Sequence, residues 1–185
     1  MEKNQLRMAM LFALVLPLIS VCWAGQQGVR QKTAEQGPLA AERGLAADGK
    51  MQISAHDRCP VCGMFPVKRP KSAAALQLTD GRAFYFCGNG CLLRSWRNSK
   101  KYLGAEPSAI GEMRVRDYFT GESIDARIAW WVAGSDVIGP MGPAIVALKQ
   151  QKNVEVFKKR HGGRYTFQLD QVDDALWKNL SDHKK

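Results

Sequence analysis

Apolar residues follow three regimes along the chain. They form a run over 8–21 interrupted only by Ser20, scatter without a stripe over 25–50, and alternate or recur at helical spacing from Met51 onward. The third regime predicts the folded part. Residues 73–78 and 82–86 flank Thr79-Asp80-Gly81, and an Asp-Gly pair between two apolar runs signals a β-hairpin. Gly88 to Gly90 break the strand, after which 91–102 place Leu92, Leu93 and Trp96 at helical spacing with Leu103. Residues 113–118 and 123–128 read as extended chain around Thr120-Gly121-Glu122. An apolar stretch at 129–133, a Gly- and Pro-rich bend at 139–143 and a short strand at 144–148 follow. Residues 149–161 predict a helix with Val154 and Phe157 inward, stopped by Gly162-Gly163, and 164–169 return as a strand. Both halves read β-β-α-β, a weak repeat supported by element order rather than identity. Aligned that way, Gly63-Met64 corresponds to Pro140-Met141. The expected fold class is α+β, with units at 51–128 and 129–185 built on short antiparallel sheets.

The first two regimes bear on compartment. Lys3 and Arg7 precede the run over 8–21, which is too short to span about 30 Å of hydrocarbon at about 1.5 Å per helical residue. It reads as the core of a secretory signal, residues 1–24, with Ala24 suited to cleavage before Gly25. A lipoprotein signal modifying Cys22 is the rival, but Val21 is larger than the small residue such a signal prefers before its cysteine. The expected product is a soluble periplasmic chain rather than a lipid-anchored one. Residues 25–50, rich in Gln, Ala and Gly, read as a flexible linker.

The net charge is +10, carried by scattered clusters such as Lys68-Arg69-Pro70-Lys71 and Lys158-Lys159-Arg160. Scattered cations of this kind keep a secreted chain soluble and suit an acidic or anionic partner. Nucleic acid is not an expected target. No nucleophile beside a base, paired acid and base or phosphate-binding loop is recognisable, so the chain is expected not to be an enzyme.

The chemistry sits in two cysteine pairs. Cys59 and Cys62 stand at C-x2-C spacing and Cys87 and Cys91 at C-x3-C spacing, and either a soft-metal site or a disulfide set suits them. Gly63, Pro66 and Pro70 follow the first pair where a thioredoxin-like motif would begin a helix, which argues against redox catalysis. Four thiolates also satisfy tetrahedral zinc, so a structural zinc module and a disulfide-stapled binding protein are alternatives. Two methionines shift the weight toward copper(I), since a thioether is a poor zinc ligand but with thiolate suits a soft monovalent ion. Met64 follows Cys62 by two residues, and Met141 lies in Gly139-Pro140-Met141-Gly142-Pro143. His56 reads as a solvated loop residue, and His161 and His183 receive no role.

Cys59-Pro-Val-Cys-Gly-Met64, Tyr118-Phe-Thr-Gly-Glu-Ser-Ile-Asp-Ala126, Gly134-Ser135 and Gly139-Pro-Met-Gly142 together resemble the NosL family, accessory proteins of nitrous oxide reductase. The resemblance covers roughly 55–172. It implies a periplasmic copper(I)-binding protein of two β-β-α-β units that delivers copper to a cuproenzyme, with nitrous oxide reductase the expected client. A membrane copper exporter or an assembly complex is a further expected partner. By motif position, Cys62, Met64 and Met141 inherit the claim to copper, with Cys59 beside them. The first half also resembles the TRASH heavy-metal motif through Cys59, Cys62, Cys87 and Cys91. Two features depart from the family pattern: the weak lipidation signal and the added Cys87 and Cys91. The metal-site set is therefore Cys59, Cys62, Met64, Met141, Cys87 and Cys91.

Overall fold

A computed structural model describes residues 38–181. The signal segment with Cys22, the start of the stretch read as linker, and His183 lie outside the described residues. Among the described residues no helix is long and apolar enough to cross a membrane.

The first unit opens with the hairpin β1 (Ala74–Leu78) and β2 (Ala83–Phe86), in register from Ala74 opposite Phe86 to Gln77 opposite Ala83. Its turn closes through Gly81, whose φ of 92° is the left-handed backbone that the Asp-Gly signal implies. Two short helices follow, α1 (Asn89–Arg97) and α2 (Ser99–Leu103), where the sequence predicts one. The break lies at Asn98, which leaves helical backbone while its N–H still closes on the Arg94 carbonyl. Gly104, at φ 59°, ends α2 in a left-handed cap. The chain returns as β3 (Ile110–Arg116) and β4 (Ser123–Asp125), completing an antiparallel sheet in the order β2-β1-β3-β4.

The second unit contains β5 (Trp130–Ser135), a two-residue-strand hairpin of β6 (Ile138–Gly139) and β7 (Gly142–Pro143), β8 (Val146–Leu148), α3 (Lys152–His161) and β9 (Gly162–Phe167). Its sheet runs β8-β5-β9, all antiparallel. The first strand is central and is flanked by the second and by the strand after the helix, as in β2-β1-β3. The α+β class and the β-β-α-β order in both halves are therefore present. The correspondence of Met64 with Met141 is not. Met64 precedes the first strand of its unit, whereas Met141 lies inside the connection between the two strands equivalent to β1 and β2. A last helix, α4 (Asp174–Ser181), was not among the elements the sequence predicts.

Both units feed one core. Leu76, Phe84, Phe86, Leu92 and Leu93 pack in the same cluster as Trp131, Ala133 and Phe167. Trp131 stacks on Phe167 at 6.4 Å and donates its indole N–H to the Ala126 carbonyl at 3.1 Å. Alternate residues of β5 serve a second, smaller cluster: Val132 joins Val146, Leu148, Val154 and Phe157. Burial on both faces explains the near-continuous apolar run Trp130-Trp131-Val132-Ala133.

All four residues of β2 are also buried, because residues 38–57 cross the other face of the first sheet. Main-chain groups hold this strap. Ala41 N–H donates to the Ala83 carbonyl at 2.7 Å, Leu45 N–H to Gln77 Oε1 at 2.7 Å, and Gln52 N–H to the Tyr85 hydroxyl at 3.0 Å. Tyr85 in turn donates to the Gly44 carbonyl at 3.0 Å. Buried Asp57 accepts the N–H groups of Glu42 and Ser54, bringing the strap's two ends together just before Cys59.

Candidate metal centre

Cys59-Pro60-Val61-Cys62-Gly63 folds into a tight turn. Gly63 N–H reaches the Cys59 carbonyl and Cys59 N–H the Met64 carbonyl, both at 2.8 Å. Gly63 takes φ 74°, a backbone that costs an L-residue roughly 1–2 kcal/mol. The turn points both sulfurs to one side.

The second pair is placed by the end of a strand and the start of a helix. Cys87 directly follows β2, with its carbonyl held by the Ser72 hydroxyl at 2.7 Å. Cys91 sits in the first turn of α1, so the positive end of that helix lies beside the cluster and favours a negative charge on it.

The four Sγ atoms lie within 4.8 Å of one another. Cys62 and Cys87 are 3.4 Å apart, Cys87 and Cys91 3.7 Å, and Cys62 and Cys91 3.9 Å. All four are free thiols. An ion with tetrahedral metal–sulfur bonds of about 2.3 Å holds its ligands about 3.8 Å apart, so the sulfurs are already at ligand spacing. Cys59, Cys87 and Cys91 are buried, while Cys62 is half-buried and marks the accessible side.

Charge in the cluster is unevenly shared. Thiols of Cys87 and Cys91, with the N–H groups of Cys87 and Val61, donate to Cys59 and hold its thiol at about 2, far below the ordinary range. The same contact pushes Cys87 up to about 12, because its proton is engaged by the Cys59 sulfur, and burial adds to this. Cys91 is raised for the same reasons. Negative charge is thus favoured on Cys59, where the S–H groups of Cys87 and Cys91 solvate it, and a cation favours release of the protons those two thiols keep.

The second unit reaches the cluster through its small hairpin. A Cβ on Gly88 would stand 3.4 Å from Pro140 Cδ, so the bend lies within van der Waals reach of the Cys87–Cys91 turn. Asn89 fixes the contact, donating from Nδ2 to the Ile145 carbonyl at 2.8 Å. Met141 is 51 % exposed and lines a cavity together with Cys91. Met64 is half-buried against the main core, its carbonyl closing the first turn. The sequence motif therefore divides into four converged cysteines, one methionine in the adjoining cavity wall and one packed against the main core.

His56 is exposed. His161 bonds through Nδ1 to Asp136 at 3.0 Å and through Nε2 to the Tyr118 hydroxyl at 3.2 Å, bracing the end of α3 outside the site. Sequence reasoning missed Asn89 and Arg94, both of which line the cavity beside Cys91. The signal for Asn89 was its place between two glycines in Cys87-Gly-Asn-Gly-Cys91; Arg94 had none beyond its helical spacing from Cys91.

Comparison with known proteins bears on family and fold. The NosL family model matches residues 50–177. A copper-binding lipoprotein NosL from Stutzerimonas stutzeri is 26% identical over 124 residues, covering 65% of this chain and 64% of the relative. The chain thus matches just under two thirds of that relative's length. The crystal structure of the copper chaperone NosL from Shewanella denitrificans superposes with a TM-score of 0.56 at 23% identity, covering 68% of this chain and 96% of the other, which shows a shared fold. The cysteine cluster fits a TRASH-like motif. With a match over most of its length and the fold to go with it, the chain belongs to the NosL family.

Proposed function

We propose that this chain is a periplasmic copper(I) chaperone that takes up the ion on its cysteine cluster and passes it to a cuproenzyme by exchange of sulfur ligands. Copper is the chain's cargo and no chemistry is performed on it. The observation that carries the reading is the convergence of four free thiols within 4.8 Å, beside a cavity that carries the Met141 thioether. Thiolate and thioether together suit a soft monovalent ion. The named relatives bind or chaperone copper, which supports the same cargo here. Nitrous oxide reductase is the client we assign, and a membrane exporter or assembly complex the source. Handover requires an accessible ligand, and Cys62 and Met141 are the two sulfur residues of the site on its open side.

Burial of three cysteines at tetrahedral spacing favours a second reading, a structural zinc site that locks the first turn to α1. Anaerobic titration separates the two. The chaperone reading expects one copper(I) per chain, bound far more tightly than zinc(II) and recoverable by a strong thiol competitor. Zinc retained through a copper(I) challenge, with all four thiols consumed, would establish the structural site instead.

A further inference from the structure

Beside the cluster lies a cavity of about 380 Å³ that opens to solvent. Its wall draws on both units, including Val61, Tyr102, Met141 and Ile145, and its charged wall residue is Arg94. A narrower cavity shares Arg94 and Met141 and extends to Cys91, and among the described residues neither wall carries an acidic side chain. Arg94 has no carboxylate partner among the described residues. Its side chain donates to the Gly90 carbonyl at 3.4 Å, a long contact that turns the guanidinium back along α1 toward the Cys91 turn and leaves most of its five donors unused. A chamber of this size matches a small-molecule site. An unpaired cation in an otherwise uncharged wall selects for an anion.

Two thiolates on copper(I) leave one negative charge at the metal, so a complex with small thiols that carry no cation is an anion. Building on the copper-handling reading above, we infer that this cavity docks a small anionic copper(I)–thiolate complex, with Arg94 as the recognising cation. Exchange then needs no oxidant. Two cysteine sulfurs form bonds to copper as two copper bonds to the carrier sulfurs break, and each proton a cysteine gives up passes to a departing thiolate, while a cysteine already ionised releases its carrier sulfur as thiolate. Copper stays monovalent and the net charge at the metal is unchanged. The space around Tyr102 and Ile145 lies beside the cluster and receives the carrier sulfurs as they leave.

The test is anaerobic stopped-flow loading of the full chain with copper(I) presented either by mercaptoacetate, an anionic carrier, or by cysteamine, a cationic one. Arg94→Gln should slow loading from mercaptoacetate by about tenfold, leave loading from cysteamine unchanged, and leave equilibrium copper(I) affinity against a chelator unchanged. Arg94→Lys should recover most of the lost rate. Ala144→Leu, which fills the cavity without touching its charge, should slow both carriers. Equal slowing of both carriers by Arg94→Gln, or none, would overturn the inference. So would a fall in equilibrium affinity parallel to the rate, which would make Arg94 a stabiliser of the cluster. Failure of the unmodified chain to take copper(I) from either carrier would overturn the chaperone reading itself, and this inference with it.

Discussion

The sheets β2-β1-β3 and β8-β5-β9 share one antiparallel order, yet their connections have opposite characters. In the first unit the approach to β1 and the exit from β2 are tight turns whose four cysteines converge, three of them buried. In the second unit the connection after β5 is a glycine- and proline-rich hairpin that carries an exposed Met141 and has no cysteine. One scaffold thus supplies a converged, largely buried sulfur cluster and, from its other copy, an exposed thioether that lines a cavity with Cys91. The comparison teaches that the repeated topology sets where the connections meet, while the residues in those connections set the chemistry.

The largest effect should come from the first unit. Replacing Cys87 and Cys91 together by serine is expected to weaken copper(I) binding by at least about 100-fold, beyond the usual effect of outer-shell partners. Competition with a chromogenic chelator checks this, with circular dichroism to confirm folding. Retained affinity would break the assignment of retention to the cluster.

Met141→Leu asks the complementary question. It keeps volume and should cost less than about 1.5 kcal/mol of stability, while copper affinity falls about tenfold. Unchanged affinity together with an unchanged rate of handover to a chelator would leave the second unit with a packing role.

The link between the units is open to a finer cut. Asn89→Ala removes the bond to the Ile145 carbonyl and should lower stability by about 1 kcal/mol. It should also speed hydrogen exchange in the hairpin of β6 and β7. Exchange unchanged there would mean that Pro140 on Gly88 suffices to hold the bend. Smallest in reach is Gly63→Ala, a strain of roughly 1 kcal/mol at the left-handed position, read as a modest fall in thermal midpoint that added copper(I) partly restores.

The parts of this arrangement legible in the sequence are those with a local signal. Asp80-Gly81 gave the hairpin, Gly162-Gly163 the end of α3, and the cysteine spacings gave both halves of the cluster. Asn98 did not announce the split of the helix, because one residue leaving helical backbone alters no apolar period. The strap over 38–57 left no stripe, since it is held by main-chain bonds to Gln77 and Tyr85 rather than by a buried face. Pairing Met64 with Met141 by order failed because the strand order that relates the units was not visible along the chain. Arg94 looked like one cation among many, and only the cavity wall distinguishes it.

The central claim, that cargo copper is held by the sulfurs of the first unit's cluster, is most directly tested by copper K-edge X-ray absorption on protein loaded anaerobically with one equivalent of copper(I). The account predicts a monovalent edge and a coordination shell of sulfur alone. That shell should lose sulfur in the Cys87→Ser, Cys91→Ser double variant. A shell containing nitrogen or oxygen, or one that is unchanged in the double variant, would place the ion elsewhere and contradict the account.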